Sequence, residues 1–238
     1  MEININKPIY DRTARLLGEE KTKKLASAHI VLFGLGGVGG YVFEALCRAG
    51  VRKITVIDCD SVSETNLNRQ ILATLSTVGK HKCEAASERA KSISPDTEIC
   101  EIREFVTAEN AAAILDRITD ADFIADAIDN VAAKTAIIKH ASEKGIPVIS
   151  SMGTGNKTDP SLLKISDIFK TDTCPLARAM RLSLKKAGVK KCPVLWSTEI
   201  PKGATENENG RNVPGSLSTV PAAAGILIAA YVINSLTK

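Results

Sequence analysis

A strand, a glycine-rich turn, a helix and a second strand follow one another within residues 29 to 60, and this order constrains the fold more than any other feature. An apolar run, Ile30 to Phe33, leads into the turn, and a second apolar run, Ile54 to Ile57, ends at Asp58 and Asp60. The glycines of the turn are Gly34, Gly36, Gly37, Gly39 and Gly40. Glycines allow a tight turn and let a phosphate approach the free N–H groups at a helix N-terminus. The segment therefore predicts a nucleotide site where the first strand ends.

The nucleotide itself is indicated by polar residues further along the chain. The G-x-G-x-x-G pattern with Asp58 nineteen residues after its last glycine fits a dinucleotide fingerprint, but any adenosine ribose offers the same diol to an acid. Arg69 and Lys82 follow, and a dehydrogenase does not need an arginine and a lysine directed at the phosphates. An enzyme that transfers a nucleotidyl group does, because negative charge builds on the phosphorus and on the leaving pyrophosphate. A nucleotidyl-transfer enzyme is favoured, and an NAD-binding oxidoreductase remains an alternative.

The remaining chain alternates strands and helices up to residue 151 and then changes pattern. Apolar strand-like runs lie at 97–102, 123–128 and 147–151, separated by helical segments. This alternation predicts an α/β fold, a Rossmann-like, doubly wound and mostly parallel sheet. Further strands and helices after residue 152 are expected to extend the sheet on its C-terminal side. We expect a single domain over 1–238, with an ATP-binding core at 8–151 and an extension at 152–238.

Composition excludes several classes of protein. No apolar run approaches 20 residues and the first residues do not form a signal peptide, so a cytoplasmic protein without membrane contact is expected. The apolar stretch 220–236 is predicted to be a buried core helix. Six cysteines without a C-x-x-C pair argue against a four-cysteine zinc site and a disulfide framework. The net charge of +4 permits nucleic acid as a partner without requiring it.

Five motifs recur in order between residues 8 and 151 and together resemble one superfamily. They are GLGGVGG, the acidic pair Asp58 and Asp60, NLNRQ, GKHK and the AIDN of Ala127 to Asn130. In this combination the chain is similar to the adenylating domain of the ubiquitin-activating superfamily (ThiF/MoeB/HesA). Members of that group use ATP and Mg²⁺ to convert a carboxylate into an acyl adenylate.

The resemblance implies roles for individual residues. The ATP-binding residues would be Gly34, Gly36, Gly37, Gly39, Asp58, Asp60, Asn66, Arg69, Gln70, Lys82, Asp129 and Asn130. Arg69 and Lys82 would stabilise the departing pyrophosphate, and Asp129 would position Mg²⁺ and the substrate carboxylate. Arg12 or Arg15 would reach the nucleotide of a partner subunit in a homodimer.

Three stretches narrow the resemblance to one branch of the superfamily. RTARLLG near the N-terminus and KTDTCPLARAMRLSLKKAGV followed by WSTEIP resemble the tRNA threonylcarbamoyladenosine dehydratases. That branch implies a reaction in which ATP closes a ring on a modified adenosine beside the tRNA anticodon, with loss of water. The absence of cysteine from 199–238 agrees with a reaction that needs no thioester relay. The alternative within the superfamily is an adenylyltransferase for a sulfur-carrier protein ending in Gly-Gly. The sequence leaves open a monovalent cation and sulfur-trafficking protein partners.

A basic helix is the predicted contact for tRNA. Arg178, Arg181 and Lys185 follow i, i+3, i+7 spacing and should form one stripe, with Lys186 beside it. The polar segment Glu199 to Ser216 is predicted to be mobile, and its 202–211 part is a weaker prediction for a tRNA contact.

Overall fold

The computed structural model describes residue 4 and residues 7–203, 206–208 and 211–238. The helices are α1 (Pro8–Leu17), α2 (Glu19–Ser27), α3 (Gly39–Ala49), α4 (Lys82–Ile93), α5 (Ala111–Asp116), α6 (Val131–Lys144), α7 (Pro175–Lys186) and α8 (Thr219–Leu236). The strands are β1 (His29–Phe33), β2 (Lys53–Ile57), β3 (Glu98–Ile102), β4 (Phe123–Asp126), β5 (Val148–Ser151), β6 (Leu163–Asp167), β7 (Pro193–Ser197), β8 (Glu206–Glu208) and β9 (Arg211–Val213).

Seven strands form one sheet in the order β3-β2-β1-β4-β5-β7-β6. All neighbours are parallel except β6, which pairs antiparallel with β7 at the far edge. The prediction of a doubly wound, mostly parallel sheet is confirmed, as is its extension by strands from the C-terminal third of the chain.

The strand order reverses at β1, which pairs with β2 on one side and with β4 on the other. Backbone bonds continue each pairing beyond the strand ends, since Gly34 N–H donates to Ile57 O and Ala127 N–H donates to Phe33 O, both at 2.8 Å. The carboxyl ends of β1, β2 and β4 therefore meet at one edge. Open α/β sheets bind ligands in the crevice at such a switch point.

Two apolar layers hold helices on the two faces of the sheet. One face buries side chains of α2, α3, α4 and α8, and the other buries side chains of α5, α6 and α7. Helix α8 lies directly on α3, where Gly225 faces the start of that helix. A Cβ on Gly225 would lie only 2.5 Å from Val38 O, so the close helix contact depends on this glycine.

Strand β4 ends earlier than the sequence predicted. The predicted strand ran to Ile128, whereas the observed strand ends at Asp126. The Asp126 carboxylate accepts a hydrogen bond from Ile128 N–H at 3.2 Å, and this local bond turns the chain out of the sheet.

The C-terminal region contains the predicted apolar helix. Helix α8 is long and apolar enough to cross a membrane by length and composition alone, and 39% of it is buried. One face packs into the core, which fits the predicted core helix, while Ile226 and Leu227 are exposed on the other face. Of the polar segment predicted to be mobile, residues 204–205 and 209–210 lie outside the described residues. The backbones of β8 and β9 within it pair antiparallel.

Candidate active site

A cavity of about 370 Å³ opens at the switch point of the sheet. Residues from the ends of β1, β2, β3 and β4 line it, together with the starts of the four helices α3, α4, α6 and α8. The predicted site residues that line it are Gly34, Gly36, Gly37, Asp58, Asp60, Arg69, Gln70, Lys82, Asp129 and Asn130. The fold thus brings together residues that lie up to about 100 positions apart in the sequence.

The glycine turn is shaped by contacts that exclude side chains at two positions. Gly34 has a positive φ of 86°, and a Cβ there would lie 3.0 Å from Ala127 O. A Cβ on Gly39 would lie 1.8 Å from Gly34 O, so Gly39 serves the packing of the turn and stands behind the cavity. Around Gly36 the space is open within 4 Å. Helix α3 begins three residues later, at Gly39, without a side-chain cap, which leaves its N-terminal end able to receive an anion.

Asp58 fastens the end of β2 to the glycine turn. Its carboxylate is mostly buried and accepts hydrogen bonds from Leu35 N–H at 2.7 Å and from Asp60 N–H at 2.8 Å. A carboxylate has about four acceptor positions. Asp58 can therefore hold the turn and still accept a bond from a ribose hydroxyl.

Lys82 and Asp60 form an ion pair on the cavity wall. Lys82 is the first residue of α4, is 5% exposed, and places its Nζ 2.8 Å from Asp60 Oδ2. Partial burial raises the pKa of Asp60, but the hydrogen bond and charge of Lys82 outweigh it, so the pKa lies below its ordinary value. The pair keeps one positive and one negative group fixed beside the glycine turn.

Some polar side chains of the NLNRQ segment line the cavity, and others form hydrogen bonds at the 3₁₀ helix where the segment begins. Arg69 and Gln70 line the cavity, and Arg69 Nη1 donates to Thr65 O at 2.7 Å. Asn66 lies behind the cavity, where its side chain caps a short 3₁₀ helix by accepting from Ser63 N–H at 3.2 Å. Its assignment as an ATP ligand stays a prediction, and the structure gives it a local structural contact.

Asp129 and Asn130 follow the turn after β4. Asn130 is the N-cap of α6, with its side-chain oxygen accepting from Ala133 N–H at 3.0 Å. Asp129 is exposed to the cavity, and among the described residues no side chain or backbone group bonds its carboxylate. It is the acid of the cavity whose oxygens are all available to a ligand.

Eleven lining residues were not predicted as site residues. Five of them lie within or next to the predicted motifs: Val38, Ile57, Cys59, Ala127 and Ile128. The other six are Glu104, Phe105, Val106, Thr154, Ser216 and Pro221. The first three follow β3, so the rule that parallel strands end at one edge could have indicated them. Ser216 is held to the NLNRQ segment because Asn68 Nδ2 donates to Ser216 O at 3.0 Å.

Neither of the two N-terminal arginines lines the cavity of its own chain. Tyr10 of α1 packs on Gly50, where a Cβ would lie 2.5 Å from its ring, at the C-terminal end of α3. The cavity is at the N-terminal end of that helix, about 16 Å away at 1.5 Å per residue. Arg12 is exposed, and Arg15 pairs with Asp11 at 3.1 Å.

Only part of the predicted tRNA-binding stripe on α7 is exposed to solvent and available to bind tRNA. Arg178, Lys185 and Lys186 are exposed, whereas Arg181 is partly buried and donates from Nη1 to Thr171 O at 2.9 Å. A groove over residues 172–182 borders the stripe. A Cβ on Gly153 would lie 3.8 Å from Cys174 Sγ at the head of α7, so this groove begins next to Thr154 of the cavity.

The cysteines near the site are not activated. Burial raises the pKa of Cys83 and of Cys192 to about 12, and Cys174 is buried. Cys59 lines the cavity and is exposed, yet partial burial and the Asp60 carboxylate raise its pKa. Thiolates are the reactive form of cysteine, so none of these three shifts favours nucleophilic catalysis.

Comparison with known proteins finds similarity over almost the whole chain. The model of the ThiF family matches residues 10–238. The tRNA threonylcarbamoyladenosine dehydratase of Bacillus subtilis is 35% identical over 96% of this chain and 94% of its own length. The Escherichia coli protein of the same name is 40% identical over 74% of this chain and 65% of its own length. The crystal structure of the E. coli enzyme in complex with ATP superimposes with a TM-score of 0.86 at 32% identity, covering 98% of this chain and 97% of that one.

Proposed function

This chain belongs to the ThiF family, and from that membership we propose that it is an ATP-dependent tRNA threonylcarbamoyladenosine dehydratase. It would adenylate the threonyl carboxylate of threonylcarbamoyladenosine in tRNA and cyclise it with loss of water. The similarity to dehydratases along nearly the full chain supports this substrate over a sulfur-carrier protein.

One observation carries the proposal: a single cavity combines an open glycine turn, two cationic side chains and a carboxylate free to bind a ligand. Its volume of about 370 Å³ falls within the range of small-ligand sites. A hydride-transfer enzyme would not require the two cationic side chains or the free carboxylate, whereas adenylation of a carboxylate uses all three of these groups.

The residues present fit a bound nucleoside triphosphate. The N-terminus of α3 and the open space at Gly36 would receive phosphate oxygens, and Asp58 would accept a ribose hydroxyl. Phe105 and Val106 offer apolar surface for the base. Lys82 and Arg69, which line the same cavity, would neutralise the negative charge of the phosphates. Arg69 has five N–H donors, so its bond to Thr65 O leaves others for phosphate.

Asp129 would hold Mg²⁺, whose charge would further stabilise the phosphates when it is bound. Its free carboxylate is the hard oxygen ligand that this ion prefers. A monovalent cation stays a prediction to which we assign no residues.

The reaction would need no protein nucleophile. Attack of the threonyl carboxylate on the α-phosphorus forms the acyl adenylate as pyrophosphate leaves towards Lys82 and Arg69. The carbamoyl group of the same nucleoside then displaces AMP from the acyl carbon. Closing a ring within one molecule has a high effective molarity, which fits a site whose cysteines are not activated.

The tRNA would lie along the groove over residues 172–182, because that groove begins beside the cavity. Arg178, Lys185 and Lys186 would contact backbone phosphates. The anionic backbone supplies affinity, and the cavity selects the modified nucleoside.

We further propose a homodimer that completes each site. Arg12 does not line the cavity of its own chain, which supports its entry into the site of a second copy, with Arg15 as the second candidate. The exposed apolar side of α8, including Ile226 and Leu227, supports a protein contact on that face.

We propose a cytoplasmic location and a single domain with its ATP-binding core at 8–151. Sulfur-trafficking partners stay a prediction without assigned residues.

The test is a reaction with ATP, Mg²⁺ and threonylcarbamoylated tRNA. We expect AMP and a nucleoside lighter by one water, and no AMP when unmodified tRNA replaces the substrate. AMP formation that is indifferent to tRNA, or that requires a carrier protein ending in Gly-Gly, would overturn the assignment.

A further inference from the structure

An ion pair without any solvent exposure lies beneath the cavity. Asp126 at the end of β4 and Lys134 in the first turns of α6 are both 0% exposed, with Lys134 Nζ 2.8 Å from Asp126 Oδ2. Charged side chains are almost never fully buried unless they are paired, and replacing a buried pair by apolar residues is often neutral or stabilising. Stability of the fold therefore does not explain the pair well.

The pair holds both backbone groups of one residue, Ile128. Lys134 Nζ donates to Ile128 O at 3.0 Å, and Ile128 N–H donates to Asp126 Oδ1 at 3.2 Å. Ser150 on β5 completes the cluster by donating from Oγ to Asp126 Oδ2 at 2.6 Å. The peptide on either side of Ile128 is thus fixed by a cluster that spans two strands and a helix.

Asp129 is the next residue, and its exposed carboxylate receives no bond from the described part of the chain. Its position in the cavity must therefore come from its backbone. The backbone immediately before it is the part that the buried pair fixes. A displacement of a reacting group by about 1 Å can cost on the order of a hundredfold in rate.

We propose that Lys134, paired with Asp126, is a positioning residue that sets the location of the Asp129 carboxylate for adenylation. The effect on turnover rests on the proposed function, whereas the effect on the backbone at 127–130 does not. The pair acts through Ile128 and does not touch the cavity itself.

The test replaces both members at once, as Asp126→Asn with Lys134→Met. This double variant leaves no unpaired buried charge, keeps an acceptor for Ile128 N–H, and removes the donor to Ile128 O. The matched control is Lys139→Met with Glu143→Gln, an exposed pair at 3.7 Å on the same helix. Four quantities are measured for each: thermal stability, hydrogen exchange of the amides at 127–131, ATP affinity, and the rate of AMP formation.

For the buried-pair variant we expect a melting temperature within a few degrees of the parent and faster exchange at 127–131. ATP affinity should change by less than about twofold while turnover falls by about a hundredfold. The control should leave all of these unchanged. A folded buried-pair variant with unchanged exchange and turnover overturns the proposal, because the pair would then serve the fold alone.

A second variant covers the case in which the double variant does not fold. Ser150→Ala removes one bond to Asp126 and keeps the ion pair, and we expect a small rise in exchange at 127–131 with a severalfold loss of turnover. No change in either would contradict the proposal. If the parent protein makes no AMP from ATP in the presence of threonylcarbamoylated tRNA, the proposed function fails, and the exchange measurement still decides whether the pair fixes this backbone.

Discussion

The cavity at the switch point and the basic stripe on α7 are both lined by charged side chains, but they hold those charges differently. In the cavity, Asp58 bonds two backbone amides, and Lys82 is buried against Asp60. On α7, Arg178 and Lys185 extend into solvent. Fixed charges suit stabilisation of a transition state, whereas solvated ones suit contact with a flexible polyanion. The difference predicts that substitutions in the two regions will affect different kinetic constants.

The largest effect is expected in the cavity. Lys82→Met should lower turnover by about 10² to 10³-fold, as loss of one preorganised electrostatic group does elsewhere. AMP formation under saturating tRNA is the measurement. Lys80→Met is the matched control two residues earlier, since Lys80 pairs with Glu88 at the surface and should be nearly silent. Equal losses in the two variants would show that the cavity charge has no special role.

The stripe should give a smaller effect of another kind. Arg178→Ala with Lys185→Ala should weaken tRNA binding by about tenfold at physiological salt and reduce the salt dependence by about one unit of slope per contact. Turnover at saturating tRNA and affinity for ATP should remain. Arg181 is left out of this pair because its bond to Thr171 O makes a loss of local structure the expected result. If the dependence of tRNA affinity on salt concentration were unchanged, α7 would not be part of the tRNA-binding surface.

The loop between β5 and β6 carries Thr154 into the cavity, and the pH dependence of protein stability tests how this loop is held. Glu199 accepts bonds from the Asp159 and Thr158 amides, which together with Lys202 outweigh the effect of burial and lower its pKa to about 2. Because the folded pKa lies below the unfolded one near 4.5, its stabilising contribution is complete above pH 4.5 and is lost as the pH falls towards 2.

Glu199→Gln should therefore lower the melting temperature at neutral pH and flatten its decline in acid. Thermal unfolding between pH 2 and pH 7 measures both. Glu143→Gln, at an exposed helix position, is the control. A melting temperature that declines in acid as steeply as that of the parent would contradict this account of the loop.

The smallest effect is expected at Phe105, which is 61% exposed at the rim of the cavity. Phe105→Ala should raise the KM for ATP severalfold through lost apolar contact with the base and leave turnover nearly unchanged. Steady-state kinetics with varied ATP checks this. A rise in the KM for tRNA alone would place Phe105 against the other substrate.

Most of the fold and the charged part of the site could be predicted from sequence because both follow local rules. The glycine turn, Asp58 and Asp129 each sit at a strand end, and parallel strands bring those ends together. Thr154 and Ser216 could not be found this way, since long-range bonds such as Asn156 N–H to Gly215 O place them. Helical spacing put Arg181 in line with Arg178, but only the structure reveals the Thr171 carbonyl that occupies it.

The central claim is that a carboxylate attacks the α-phosphorus of ATP in this cavity. Threonylcarbamoylated tRNA labelled with ¹⁸O in its threonyl carboxylate tests it directly, because cleavage of an acyl adenylate at the acyl carbon leaves one carboxylate oxygen on the nucleotide. We predict AMP that carries one ¹⁸O. Unlabelled AMP, or ADP with the label in inorganic phosphate, would contradict the account.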